Sequence, residues 1–235
     1  MRVSDPSPYS PADRLQPPSL FPAYASTVAR SPRQPLIAMP QTLTETTGPT
    51  DIWGRLMLPP VSDLTTVCKG EPIGERIIVS GRVLDDCGRP VAKTVVEVWQ
   101  CNAAGRYIHE VDQHKAPLDP NFVGEGRVIT DELGRYRFIT IKPGAYPWRN
   151  HHNAWRPAHI HFSLFGPAFA TRLVTQMYFP GDPLIPIDPI AGSVPEEARP
   201  RMVSRFDIDT TENEWALGYQ FDIVLRGRDA TPMET

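Results

Sequence analysis

The chain has 235 residues and a formal charge of −3, with a pI near 6.1, so nothing in its charge favours a nucleic acid or an anionic membrane as partner. No apolar run is long enough to span a bilayer, no charged-then-apolar signal segment opens the chain, and the three cysteines (Cys68, Cys87, Cys101) form no Cys-X-X-Cys pair. A soluble cytoplasmic protein without a disulfide framework is the expectation, and the 27 prolines are its one large compositional deviation.

Residues 1 to about 70 carry many of those prolines, from Pro6 to the turn Leu58-Pro59-Pro60. That spacing forbids long helices and favours irregular or polyproline-like backbone. Leu20, Phe21, Tyr24, Val28, Leu36, Ile37 and Met39 give the segment more apolar content than a solvated tail needs. We read residues 1–70 as an extended N-terminal arm lying against a neighbouring surface. Residues 41–50 are expected to add a short strand or turn.

From residue 76 the pattern changes to strands and turns, and 71–235 reads as one β domain. Arg76–Leu84 is β-branched and apolar, Asp85–Pro90 is a turn, and Val91–Gln100 resumes with period-2 alternation. Arg127–Thr130, a turn at Asp131–Arg135, Tyr136–Ile141, His159–Phe165, Arg172–Phe179 and Tyr219–Leu225 continue the series. Tyr219, Phe221, Ile223 and Leu225 share one face of the last strand. Only Glu196–Arg205 has room for a short helix. The fold class is all-β, an antiparallel β-sandwich, with long loops at 101–126 and 142–158 of the kind that carry sites.

The chemistry centres on Trp155-Arg-Pro-Ala-His159-Ile-His161-Phe162. Residues i and i+2 of a strand leave the same face, so His159 and His161 converge while Ile160 and Phe162 pack behind them. Two imidazoles from one strand make half a metal site. The other half is not a nearby carboxylate, because no Asp or Glu lies between Glu132 and Asp182. A cupin-like or facial-triad iron site would need one. Each long loop instead holds a tyrosine: Tyr107 in Asn-Ala-Ala-Gly-Arg-Tyr, and Tyr146 in Pro-Gly-Ala-Tyr-Pro-Trp-Arg-Asn. A zinc hydrolase using the histidines, or a metal-free binding sandwich, remains open on these residues alone.

Tyr107, Tyr146 and His159-Ile-His161, with Gly-Arg-Tyr, Pro-Trp-Arg-Asn and Arg-Pro-Ala-His-Ile-His around them, resemble the intradiol ring-cleaving dioxygenases. The match extends through Ala29–Gln34, Pro72–Ile78, Ala116–Phe122, Tyr178–Ile185 and Phe221–Gly227, most of the chain. The resemblance implies one non-haem Fe(III) held by Tyr107, Tyr146, His159 and His161. It also implies cleavage of protocatechuate (3,4-dihydroxybenzoate) by dioxygen between its hydroxylated carbons, giving 3-carboxy-cis,cis-muconate in the β-ketoadipate route of aromatic catabolism. A relative acting on catechol or hydroxyquinol is the alternative within the family.

By the same resemblance Arg156 stabilises negative charge developing on the ring, and Trp148, Gln176 and Ile190 shape the cavity. Tyr24 and Arg30 of the arm hold the substrate carboxylate. Tyr146, on a loop expected to be flexible, is the ligand that substrate displaces, and its released oxygen takes a proton from the catechol. A homologous α chain supplies the rest of the pocket, in αβ pairs of a larger oligomer. The sequence departs from the family pattern at His151-His152 and Cys101, beside the ligand loops, and its proline-rich arm does not resemble the helical dimerisation segment that catechol-type relatives carry ahead of the sandwich.

Overall fold

The structure, a computed structural model, describes residues 15–35, 37, 58–166 and 172–234. Its strands are β1 (Arg76–Leu84), β2 (Val95–Trp99), β3 (Glu125–Ile129), β4 (Arg135–Ile141), β5 (Tyr146–Pro147), β6 (Trp155–Arg156), β7 (His159–Phe165), β8 (Leu173–Tyr178), β9 (Arg205–Phe206), β10 (Leu217–Gln220) and β11 (Ile223–Val224). Two short α-helices, α1 (Ala25–Arg30) and α2 (Pro189–Ser193), lie among the described residues. The expected strand at 41–50 falls outside them.

β1 is the axis of one sheet. It pairs antiparallel with β4 from Arg76↔Ile141 to Arg82↔Arg135, and parallel with β10 and then β11 along its other edge. Those parallel pairs stand beside the antiparallel ladders of the rest, and a long connection makes them feasible because more than a hundred residues separate β1 from β10. The segment expected as one strand over Tyr219–Leu225 breaks at Phe221-Asp222. There the Phe221 amide donates to the Ser80 carbonyl, and the Tyr136 hydroxyl donates to the Phe221 carbonyl. Asp222 turns outward to accept from the Arg82 amide at 2.8 Å.

The second sheet runs β3-β2-β7-β8, antiparallel throughout. Alternation aims Val96, Val98, Ile160, Phe162, Leu164 and Met177 at Ile77, Val79, Phe138, Tyr219 and Phe221 of the first sheet, forming one apolar core. Phe162 sits at its middle, 5.2 to 6.0 Å from the rings of Phe221, Phe138 and Tyr136. Burying such a side chain is worth about 1.5–3 kcal/mol.

What distinguishes β7 is that its other face is buried as well. All of His159–Leu164 is buried, because loops, arm and tail cover the outside of the β2-β7-β8 sheet. The arm folds a helix where no extended stretch was ruled out: α1 occupies the proline-free gap between Pro22 and Pro32, and stops before Ser31-Pro32 as the residue ahead of a proline must. Conversely, the helix expected over 196–205 is only a 3-10 turn at Arg199–Met202, with Pro200 inside the run. Among the described residues no helix is long and apolar enough to cross a membrane.

Candidate active site

The site lies on the outer face of the second sheet. Cross-strand register sets Trp99 opposite His161, Gln176 opposite His161 on the other side, and Tyr178 opposite His159. With the i, i+2 rule this puts Trp99, His159, His161, Gln176 and Tyr178 on one surface, while Ile160 and Phe162 point into the core. Trp99 stacks flat on His161, with ring centroids 4.8 Å apart and planes 3° from parallel.

Both histidines have their tautomer set by a partner on Nδ1. His159 Nδ1 donates to the Pro157 carbonyl at 2.7 Å, and His161 Nδ1 donates to Glu234 Oε2 at 3.2 Å. In the neutral ring this leaves the lone pair on Nε2, the form a metal ligand requires. Burial holds the His159 pKa well below the usual range, with the Arg156 charge and His161 adding to it, so His159 is neutral.

Two loops bring the tyrosines to this surface. Asn102 Oδ1 accepts from the amides of Ala104 and Arg106, both at 2.9 Å, winding the chain after β2 into a tight turn. Gly105 in that turn has φ +77°, and a Cβ there would run into the Ala145 carbonyl. The second loop returns the approach, with the Gly144 amide donating to the Asn102 carbonyl at 3.0 Å. Backbone-to-backbone packing of the two loops leaves the rings of Tyr107 and Tyr146 edge-to-face, 5.3 Å between centroids. Tyr146 is less free than its loop sequence suggests, because β5 pairs it directly with Arg156 of β6.

Arg156 is the hub. It is 1% exposed, and its Nε and Nη2 grip Asp188 Oδ1 and Oδ2, both at 2.9 Å. Nη2 also donates to Gln176 Oε1 at 2.6 Å and to the Tyr178 hydroxyl at 3.1 Å. Nη1 is left facing Tyr146 Oη at 3.2 Å and His159 Nε2 at 3.0 Å. Burial alone would lower the Arg156 pKa, but Tyr178 and Asp188 raise it well above the ordinary value, so the guanidinium is permanently charged.

The donor set fits a hard cation. The Tyr107 hydroxyl is buried without a hydrogen bond of standard geometry. Desolvation raises the pKa of both tyrosines, and for Tyr146 the neighbouring Arg156 charge pulls the other way. An orphaned buried hydroxyl costs about 1–3 kcal/mol unless something fills its need. Two phenol oxygens and two Nε2 lone pairs, without a carboxylate or thiolate among them, match a ferric ion better than zinc or Fe(II). Cys101 is no competitor: its thiol donates to the Gly144 carbonyl at 3.3 Å, and burial pushes its pKa up to about 12.

The remaining expected residues divide. Tyr24, at the entry to α1, packs edge-on to Trp148 at 5.1 Å, and α1 is tied to the tyrosine loop by Ser26 and Asn150, whose amide and carboxamide oxygen meet at 2.7 Å. Arg30 lies exposed at the surface with its guanidinium 4.8 Å above the Tyr24 ring, so it meets the site through Tyr24. Ile190 is buried in α2, directly after Asp188 and Pro189. His151 and His152 sit on the bend beyond Trp148, their rings 6.2 Å apart and that of His151 6.3 Å from the Trp148 ring. Tyr107, Tyr146 and Trp148 open on a cleft of about 620 Å³ that is also lined by His109, Val111 and Arg149.

The sequence reading did not single out Asp188, Tyr178, Glu234 or Trp99. Trp99 had a usable signal, its alternation with Val98. Asp188-Pro189 reads as a helix start, which it is, but nothing in that dipeptide announces an ion pair with a residue 32 positions away.

Comparison with known proteins gives the family. Residues 53–227 match the family model described as dioxygenase, and residues 9–42 match that described as protocatechuate 3,4-dioxygenase beta subunit N terminal. The chain is 63% identical to the protocatechuate 3,4-dioxygenase beta chain of Burkholderia cepacia over 218 residues, 92% of each chain. Among solved structures it resembles 3-chlorocatechol 1,2-dioxygenase from Rhodococcus opacus 1CP, with TM-score 0.51 and 25% identity, covering 69% of this chain and 63% of that one. It also resembles the dioxygenase domain of a carbohydrate-binding fusion protein from Streptomyces sp. SirexAA-E, with TM-score 0.52 and 26% identity, covering 72% and 89%. The chain belongs to the intradiol dioxygenases, a family that uses non-haem iron.

Proposed function

We propose that this chain is the β subunit of a protocatechuate 3,4-dioxygenase, cleaving protocatechuate between its two hydroxylated carbons to 3-carboxy-cis,cis-muconate, with both atoms of dioxygen entering the product. The observation that carries the reading is the convergence of two tyrosines with two histidines whose Nδ1 hydrogens are committed elsewhere. Tyr107, Tyr146, His159 and His161 would hold one Fe(III) per chain. The chemistry such a centre supplies is charge neutralisation of a catecholate and withdrawal of its electron density, which opens a ring carbon to dioxygen.

The chain's own residues do the rest. Phenol ligands are hard and anionic, and a neighbouring cation brings their pKa far below the ordinary ~10. Tyr146 is the ligand that would exchange with substrate, its released oxygen taking a catechol proton, while Arg156 Nη1, 3.2 Å from that oxygen, would stabilise the negative charge developing on the ring. Burial and the Arg156 charge keep His159 neutral, and both histidines would bind through Nε2. Gln176 and Tyr178 hold Arg156 in line, and Trp148 with Ile190 gives the cavity its shape.

The N-terminal arm brings Tyr24 and Arg30 to the pocket, where they help bind the substrate carboxylate. The catalytic sandwich of 71–235 takes in the stretch just before it as well, since Val61 and Asp63 bridge to β3 and β4 and Leu64 lies in the core. The beta-chain likeness supports a homologous α chain as partner, in αβ pairs within a larger cytoplasmic oligomer. Oxygen uptake by the co-expressed pair tests the reading: turnover of protocatechuate with stoichiometric formation of the muconate is expected. Equal or faster turnover of catechol or hydroxyquinol would move the chain to another branch of the family.

A further inference from the structure

We propose that Glu234 is a positioning residue for the metal site, fixing His161 from outside the donor set; this rests on the iron reading above. Its carboxylate Oε2 lies 3.2 Å from His161 Nδ1, and 73 residues separate the two in sequence. The alignment of the pair does not depend on a loose tail. Residues 230–234 cross from β11 to β8 and are held to both: the Thr231 amide donates to the Val224 carbonyl of β11, while on β8 Thr175 Oγ1 donates to the Pro232 carbonyl at 2.7 Å and the Glu234 amide donates to the Val174 carbonyl at 2.8 Å. From the other side Gln16 of the arm accepts the Met233 amide at 2.7 Å. Ala230 and Thr231 are both 2% exposed, so the segment is clamped on both flanks.

The two histidines are thereby treated differently. His159 is oriented by a neutral carbonyl two residues away, at 2.7 Å. His161 is oriented by an anion brought from a distant part of the chain, with Trp99 stacked on its face. A carboxylate on Nδ1–H fixes the tautomer, restricts ring rotation, and makes the Nε2 lone pair a stronger donor than a carbonyl partner would. It also adds a negative charge beside a site whose own cation, Arg156, is already neutralised by Asp188. Changes to such orienting partners typically alter metal affinity by about 10–100-fold.

The test uses E234Q and E234A in the chain co-expressed with its α partner. Two readouts are independent of turnover. The first is iron loss to a chelator together with the position of the visible tyrosinate–iron band. The second is the histidine 15N NMR spectrum of the metal-free protein, which reports the His161 tautomer whether or not iron binds. Expected are a Nδ1–H tautomer in the wild type, a mixture in E234A, and iron loss about 10-fold faster in E234Q with a shifted band and an unchanged unfolding midpoint. Gln retains an acceptor for Nδ1–H, so E234Q should keep the tautomer and lose only the charge effect. Wild-type rates, band and tautomer in both variants would overturn the proposal, as would losses that merely follow a lowered unfolding midpoint. A wild-type protein that shows the Nδ1–H tautomer but no tyrosinate–iron band would instead sink the iron reading itself.

Discussion

Arg156 and Asp188 form a bidentate ion pair inside the protein, Nε to Oδ1 and Nη2 to Oδ2 both at 2.9 Å, with side chains 2% and 0% exposed. The pair leaves one guanidinium nitrogen, Nη1, free to face Tyr146 and His159. It also joins two parts of the site, since Asp188 caps α2, the helix that carries Ile190. Asp188→Ala should therefore cost stability and activity together: an uncompensated buried charge is worth about 3–5 kcal/mol. Asp188→Asn leaves one oxygen, able to serve the Ala191 amide and Arg156 Nη2 together, but turns an NH2 toward Arg156 Nε. It should destabilise less than Asp188→Ala by keeping the cap, and lose turnover far more than substrate affinity. Denaturant unfolding and steady-state kinetics on the two variants check this; an Asn variant with wild-type kcat would contradict it.

Tyr107→Phe separates a ligand from a structural hydroxyl. Because the Tyr107 hydroxyl makes no standard hydrogen bond, its removal should leave the metal-free chain as stable as before or up to about 1–3 kcal/mol more stable. Iron content should nevertheless fall sharply. Thermal unfolding of metal-free protein and iron analysis of loaded protein, compared side by side, give the result.

Gly105→Ala attacks the distance between the tyrosines without touching either. A left-handed φ costs a non-glycine residue about 1–2 kcal/mol, and the new methyl would run into the Ala145 carbonyl. The two loops must then separate, and the expected signature is weakened iron binding with the sandwich intact, read from far-UV circular dichroism and iron titration.

The arm predicts a different split. Asn150 binds α1 through three hydrogen bonds, to the Ala25 amide, the Ser26 amide and Ser26 Oγ. Asn150→Ala removes two of them, which at a minimum of ~0.5 kcal/mol each is about 1 kcal/mol. KM for protocatechuate should rise roughly fivefold at that magnitude, while iron content stays at the wild-type level. A loss of iron in this variant would contradict the arm's assignment to substrate rather than to metal.

Much of this was legible before any coordinates. β1 and β7 follow the apolar and β-branched runs at 76–84 and 159–165 to the residue, because a strand buried on one or both faces leaves a plain signal. The i, i+2 rule made the convergence of His159 and His161 readable, whereas Tyr107 and Tyr146 joined them only through the family resemblance. Three features were not. The break at Phe221-Asp222 depends on Ser80 and Tyr136, which belong to other strands. Helix α1 is short and buries only Thr27, and its place is set by Asn150 from outside rather than by a period of its own. Glu234 and Asp188 reach the site only through tertiary packing, so the apparent scarcity of carboxylates around the histidines was true of the sequence and not of the space.

The central claim, that two tyrosinates and two histidines hold ferric iron here, is tested most directly by one visible absorption spectrum. The protein co-expressed with its α chain would be measured before and after anaerobic addition of protocatechuate. The account predicts a red-brown tyrosinate-to-iron band that moves to longer wavelength when the catecholate binds, and that disappears in a Tyr107→Phe, Tyr146→Phe double variant. A colourless protein without stoichiometric iron, unchanged by the catechol, would contradict it.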